Sequence, residues 1–169
     1  PDALKRVLTE RPDVLNHNVE TVPRLYPLVR PRADYERSLH LLKQSGEGSP
    51  GVLIKSGLMV GIGEEKDEII SLMKDLRHAG CHVLTIGEYL QPRPDLLPVI
   101  RFVSHEEFDE LKKIGEELGF QSVASGPFVR SSFHAAHLFL RTQPLEKGAS
   151  SCHSHSDPEE ESTSISWRR

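Results

Sequence analysis

The chain has 169 residues, enough for one domain, or a domain and a tail, with a core that needs no disulfide framework. Its 21 basic and 25 acidic residues leave a net charge of −4, which argues against a nonspecific nucleic-acid binder, and no apolar run approaches the roughly 20 residues of a membrane span. Two cysteines, Cys81 and Cys152, fit a reducing compartment and exclude any three- or four-cysteine metal site built by this stretch alone.

The chain opens on Pro1 inside a helical pattern, which reads as a fragment. Ala3, Leu4, Val7 and Leu8 form a helical stripe that Pro12 ends. Val14–Glu20 reads as a short strand. Asp34–Gln44 is helical, with Tyr35, Leu39 and Leu42 on one face and Ser45-Gly46 as its stop. Leu53–Gly61 is a second strand. In Lys66–Ala79, Ile69, Leu72, Met73, Leu76 and Ala79 share a face and Gly80 closes the helix. His82–Leu90 is a third strand. Ser104 caps a helix lined by Phe108, Leu111, Gly115 and Leu118, with Glu106 and Glu107 in its first turn. Gln121–Ser125 is a fourth strand. This alternation predicts βαβ units in residues 1–140, either a doubly wound sheet or a (β/α) barrel, with the chemistry at the strand exits. Residues 141–169 hold seven serines and an acidic run and read as a disordered polar tail. Its Cys152, His153 and His155 are either a weak metal site or chance spacing.

The strand ends carry the polarity. In Val14-Leu15-Asn16-His17-Asn18-Val19-Glu20, alternation places Asn16, Asn18 and Glu20 on one face and His17 on the other. Those two amides and a carboxylate either face a cavity, where they could bind a polar ligand, or mark a solvated edge strand. The second strand contains Gly57 and Gly61, which signal close approach by a ligand or another backbone. Gly61-Ile62-Gly63-Glu64 then enters a helix, as a phosphate cradle or as a tight turn. The third strand ends in Gly87-Glu88-Tyr89-Leu90-Gln91-Pro92. The fourth leads into Gly126-Pro127-Phe128-Val129-Arg130-Ser131-Ser132, whose serines alone read as a helix cap.

Four segments together resemble the lipoyl synthases, radical S-adenosylmethionine enzymes. They are Asn16-His17-Asn18-Val19-Glu20-Thr21-Val22-Pro23, Lys55-Ser56-Gly57-Leu58-Met59-Val60-Gly61, Tyr89-Leu90-Gln91-Pro92 and Gly126-Pro127-Phe128-Val129-Arg130-Ser131-Ser132. The likeness covers about residues 1–140 and the C-terminal half of the family only. It implies an α/β fold, the C-terminal half of a partial (β/α) radical-SAM barrel. It also implies two [4Fe-4S] clusters, one that cleaves S-adenosylmethionine to a 5′-deoxyadenosyl radical and an auxiliary one consumed as sulfur donor. The reaction implied is sulfur insertion at C6 and C8 of a protein-bound octanoyl-lysine.

By the same resemblance, S-adenosylmethionine is bound through Asn16, Asn18, Glu20, Ser56, Gly57, Met59, Gly61 and Glu64, and Ser132 is a ligand of the auxiliary cluster. The cysteine motifs of the family are absent, as expected if they precede Pro1, so this stretch alone is expected to be inactive. Implied partners are an octanoylated lipoyl domain or glycine-cleavage H-type carrier protein, a ferredoxin or flavodoxin reductant and an iron–sulfur carrier, with no nucleic acid and no membrane. The implied compartment is the bacterial cytoplasm, or a mitochondrion or plastid in a eukaryote. The chain departs from the family at Phe133, where Tyr is usual, at Asp95-Leu96, where a basic residue and a histidine are usual, and at Glu88, where Gln is common. The alternatives are a non-catalytic truncated or divergent paralog that binds S-adenosylmethionine or a carrier protein, and another (β/α) barrel enzyme.

Overall fold

The computed structural model describes residues 2–132; the serine-rich tail, the Cys152/His153/His155 cluster and Phe133 lie outside the described residues. Four parallel strands, β1 (Val14–Asn16), β2 (Leu53–Val60), β3 (Val83–Glu88) and β4 (Ser122–Gly126), stand in the order of the chain. Helices α3 (Tyr35–Gly48), α4 (Lys66–His78) and α5 (His105–Glu117) connect them, and α1 (Asp2–Thr9) precedes β1. A doubly wound sheet reverses its strand order partway. Here every connection steps the same way, and right-handed crossovers then place all three helices on one face. Of the two architectures open to the sequence, this is the arc of a (β/α) barrel.

Alternation along β2 sorts its residues. Ile54, Leu58 and Val60 join Leu42 of α3, Ile69, Leu72, Met73 and Leu76 of α4, Phe108 and Leu111 of α5, and Ile86 and Val123 in one buried core. Lys55, Gly57 and Met59 face the other way, into the arc. The helices start where their caps dictate. The Arg37 N–H donates to Asp34 Oδ1 at 2.7 Å, the Glu107 N–H to Ser104 Oγ at 3.2 Å, and the Glu65 N–H to Glu68 Oε2 at 2.8 Å. Gly80 (φ 80°) and Gly119 (φ 87°) supply the left-handed residues that end α4 and α5. Among the described residues no helix is long and apolar enough to cross a membrane.

Two expectations are corrected. The first strand is not Val14–Glu20: it ends at Asn16, and the chain rejoins the sheet only at Glu20, which bridges Leu58 with φ at 68°. The excursion is held by the Arg30 guanidinium, which donates to the Asn18 and Val19 carbonyls at 3.0 and 3.4 Å. Second, α3 does not stop at Ser45-Gly46. Ser45 is fully buried and returns its hydroxyl to the Leu41 carbonyl at 2.7 Å, and a Cβ on Gly46 would rest 3.6 Å from Ile54, so the helix continues to Gly48. Between β1 and α3 the chain makes two further short elements. Pro23 opens a 3₁₀ turn (Pro23–Leu25) and Pro27 lies in the first turn of the short α2 (Tyr26–Val29), since the fixed φ of proline suits helix starts. Tyr26 then meets Tyr35 edge to face at 5.4 Å.

Candidate functional site

The exits of β2 and β3 frame a cavity of about 320 Å³, within the roughly 300–1,000 Å³ typical of ligand pockets. Its floor comes from two register pairs of β2 and β3, Gly57 with Thr85 and Met59 with Gly87. A groove of about 660 Å³ between α1 and the end of α3 is larger, but it lies away from the strand exits where polar groups converge.

The walls are rich in acceptors. Asn18 and Glu20 come from the excursion after β1, and Glu88 from the end of β3. Asn18 Oδ1 is buried without a hydrogen-bond partner, a cost that a bound donor would remove. Glu88 is 4% exposed and its carboxylate accepts the Val103 N–H at 3.2 and 3.4 Å. Burial pushes its carboxyl above the usual range, and that N–H and the charge of Arg101 pull it back only in part. Arg130 brings a cation to the wall, and its guanidinium donates to the Pro127 and Val129 carbonyls at 3.3 and 2.7 Å.

The segment after β4 folds back over this floor. The Val129 N–H donates to the Gly126 carbonyl at 3.1 Å. The Val129 carbonyl then sits so close over β3 that a Cβ on Gly87 would lie 2.2 Å from its oxygen. Two residues later the Ser131 carbonyl accepts a hydrogen bond from Lys55 Nζ. Ser131 lines the cavity, whereas Ser132 is exposed beside it and does not.

Of the residues expected to bind ligand, Asn18, Glu20, Gly57 and Met59 meet around one cavity. Asn16 is exposed at the end of β1 and away from it. Ser56 is fully buried on the core side of β2, where its Oγ accepts the Val19 N–H at 3.3 Å and so holds the excursion from behind. Gly61 and Glu64 form a closed unit: the Glu64 carboxylate accepts the Gly61 N–H at 2.5 Å and the Ile62 N–H at 2.9 Å. Those donors are therefore spent within the turn, and the glycine loop is a tight turn and not a phosphate cradle. Gly61 (φ 102°) is needed there for a further reason, since a Cβ would stand 2.6 Å from Glu88 Oε1. Sequence reasoning missed Thr85 and Lys55. The signal for Lys55 was available: a lysine inside an apolar strand must find a buried partner.

The cavity fits S-adenosylmethionine in chemical character. The unpaired Asn18 amide oxygen and the Glu20 carboxylate suit ammonium, sulfonium and ribose hydroxyl groups. The described residues do not by themselves supply the ligand set of an iron–sulfur cluster. Among them no group of three or more His, Cys, Asp or Glu side chains is placed to hold a metal. Cys81 is fully buried and its thiol is pushed up to about 12 by burial, so it stays a thiol that donates to the Ile54 and Val83 carbonyls at 3.5 and 3.3 Å.

No protein-family model matches the chain. Among curated proteins it is similar to the lipoyl synthase of Rubrobacter xylanophilus, 53% identical over 148 residues that make up 88% of this chain and 45% of that protein. The lipoyl synthase of Caldanaerobacter subterraneus is 54% identical over 134 residues, 79% of this chain and 47% of its own length. That of Methylococcus capsulatus is 56% identical over 133 residues, 79% and 41% respectively. The chain thus spans somewhat less than half the length of the curated relatives it matches. With more than half the aligned residues identical and a parallel βα arc whose polar cavity opens at the strand exits, the chain belongs to the lipoyl synthase family, as the counterpart of the C-terminal part of its members.

Proposed function

We propose that this chain is the ligand-facing C-terminal part of a lipoyl synthase that inserts two sulfur atoms, at C6 and C8, into a protein-bound octanoyl-lysine. The observation that carries the reading is the identity above 50% to three lipoyl synthases over residues that include the cavity wall. When bound, S-adenosylmethionine supplies the radical that abstracts hydrogen from the octanoyl chain. The protein's part here is binding and orientation. Asn18 Oδ1 and the Glu20 carboxylate accept from the ligand's amine or ribose hydroxyls, Gly57 lets it approach the backbone, and Met59 gives an adaptable apolar contact. Ser56, Gly61 and Glu64 serve from behind, by fixing the excursion and the turn that shape the wall.

Residues 1–140 form the barrel part in this reading and residues 141–169 a polar tail. Its partners are an octanoylated lipoyl domain or H-type carrier protein, a ferredoxin or flavodoxin and an iron–sulfur carrier, in the bacterial cytoplasm or a eukaryotic organelle. Both [4Fe-4S] clusters take their cysteine ligands from the part of the protein not represented here. Ser132 would supply the remaining oxygen ligand of the auxiliary cluster: its neighbour's carbonyl is tied to Lys55, and its own side chain is exposed beside the cavity.

The test is a pair of alanine variants in the intact enzyme, assayed separately for 5′-deoxyadenosine and for lipoyl product. Ser132→Ala is expected to keep S-adenosylmethionine cleavage and lose sulfur insertion, while Ser131→Ala keeps product formation. Full lipoyl formation by Ser132→Ala, or equal losses in both variants, removes the ligand assignment. An intact protein that neither cleaves S-adenosylmethionine nor forms lipoyl product would instead be a non-catalytic paralog.

A further inference from the structure

Lys55 is 4% exposed and is the one charged residue of β2. Its place in the register, beside Val83, turns it to the same side of the sheet as Gly57 and Met59. Among the described residues its ammonium pairs with no carboxylate, and the acceptor it finds is the Ser131 carbonyl, 76 residues later. A buried ammonium is costly unless its donors are satisfied. The pairing therefore works both ways: the segment gives Lys55 its acceptor, and Lys55 gives the segment a reason to stay down.

Two further contacts agree. The Val129 carbonyl is packed over Gly87, and Val129 itself is buried while Phe128, Arg130, Ser131 and Ser132 around it are exposed. The segment from Gly126 to Ser132 thus touches the sheet at three points, the Gly126 turn, the Gly87 floor and the Lys55 ammonium. Only the last is a charged bond, and only the last lies next to Ser132.

We propose that Lys55 is a positioning residue, whose buried ammonium pins the main chain at Ser131 and so fixes where Arg130 and Ser132 stand at the cavity mouth. Its consequence for Ser132 as a ligand rests on the functional reading above. The pinning itself does not, and the experiment reads the pinning alone.

Trypsin cuts after Arg130 only when the segment lifts, so the rate of that cut measures pinning. In the intact protein, Lys55→Met keeps the apolar stem and removes the donors. It is expected to speed cleavage after Arg130 by about tenfold or more, the worth of a charged hydrogen bond. Cleavage after Arg32, in an exposed loop, and after Lys74, inside α4, stays unchanged. Lys55→Arg, which retains charged donors, brings the rate back to within about threefold. An unchanged rate after Arg130 in a folded Lys55→Met protein overturns the proposal. So does an equal acceleration after Lys74, which would mean general loosening.

If Lys55→Met does not fold, the wild-type protein decides. Amine labelling of Lys55 and cleavage after Arg130 should report one opening and rise together with urea below the unfolding transition. Cleavage that rises while Lys55 stays protected overturns the proposal.

Discussion

Gly87→Ala is the sharpest probe of the folded-back segment. The new Cβ would start 2.2 Å from the Val129 carbonyl oxygen and 3.1 Å from Arg130 Nη1, whereas ordinary contact begins at 3.4 Å. The obstacle is backbone, so the main chain at Val129 must retreat by about 1.2 Å to reach that distance. Overpacking of this kind costs about 1–3 kcal/mol, and replacing glycine in a strand returns roughly 0.5–1 kcal/mol. A net loss of about 1–2 kcal/mol lowers the melting temperature by roughly 2–8 °C in a protein of this size. The control is Gly126→Ala, one strand over in the same register row, whose Cβ would meet Val129 Cγ2 at an ordinary 3.5 Å. It should melt within about 2 °C of the wild type, as substitutions without a clash do. Melting curves of the three proteins, followed by circular dichroism, are sufficient. If Gly87→Ala melts no lower than Gly126→Ala, the segment does not rest on β3 and the reasoning about the cavity wall fails with it.

Two other outcomes follow from buried groups. The Glu88 carboxyl is raised above 4.5 by burial, so the folded protein holds that proton more tightly than the unfolded chain. Stability is then lost as pH rises from about 4.5 through the raised value. Glu88→Gln, which keeps an oxygen for the Val103 N–H, should remove that decline and be the more stable protein at pH 7, as urea denaturation of both across the window would show; parallel curves count against it. Cys81, with its thiol pushed up to about 12, should resist iodoacetamide at pH 8 in the native protein and react on unfolding, and equal rates in both states, measured on its peptide by mass spectrometry, would contradict the burial.

What the sequence disclosed follows physical lines. The helix α4 was legible because Ile69, Leu72, Met73 and Leu76 repeat at helical spacing between an acidic start and Gly80. The strand β2 was legible as an apolar run interrupted by glycines. Asn18, Glu20 and Gly57 were found because polar or glycine residues stood where a parallel strand wants bulk, Met59 came only through the family resemblance, and the four line one cavity. Parity within β2 would have set Ser56 opposite Gly57 and Met59, on the core side, but the family resemblance grouped all three as binding residues. The alternation in Val14–Glu20 imitated a longer strand, since nothing local announces that Arg30 will take the Asn18 and Val19 carbonyls. Lys55 and Ser131 meet across 76 residues, a separation over which no periodicity carries information.

The excursion between β1 and Glu20 has a consequence for how this wall can change. Its main chain is fastened at every step: the His17 N–H to the Lys55 carbonyl at 3.1 Å, the Val19 N–H to Ser56, the Glu20 N–H to Gly57 at 3.0 Å, and the Met59 N–H to the Glu20 carbonyl at 2.8 Å. All of these bonds engage backbone atoms of residues 17–20, and none needs the side chains of Asn18 or Glu20. Ligand preference and foldability are thereby separated. A library varied at position 18, and at position 20 among residues that tolerate its φ of 68°, would sample different recognition chemistries on an unchanged frame, so this short stretch is where selection, natural or in the laboratory, could retune the pocket at least cost to the scaffold.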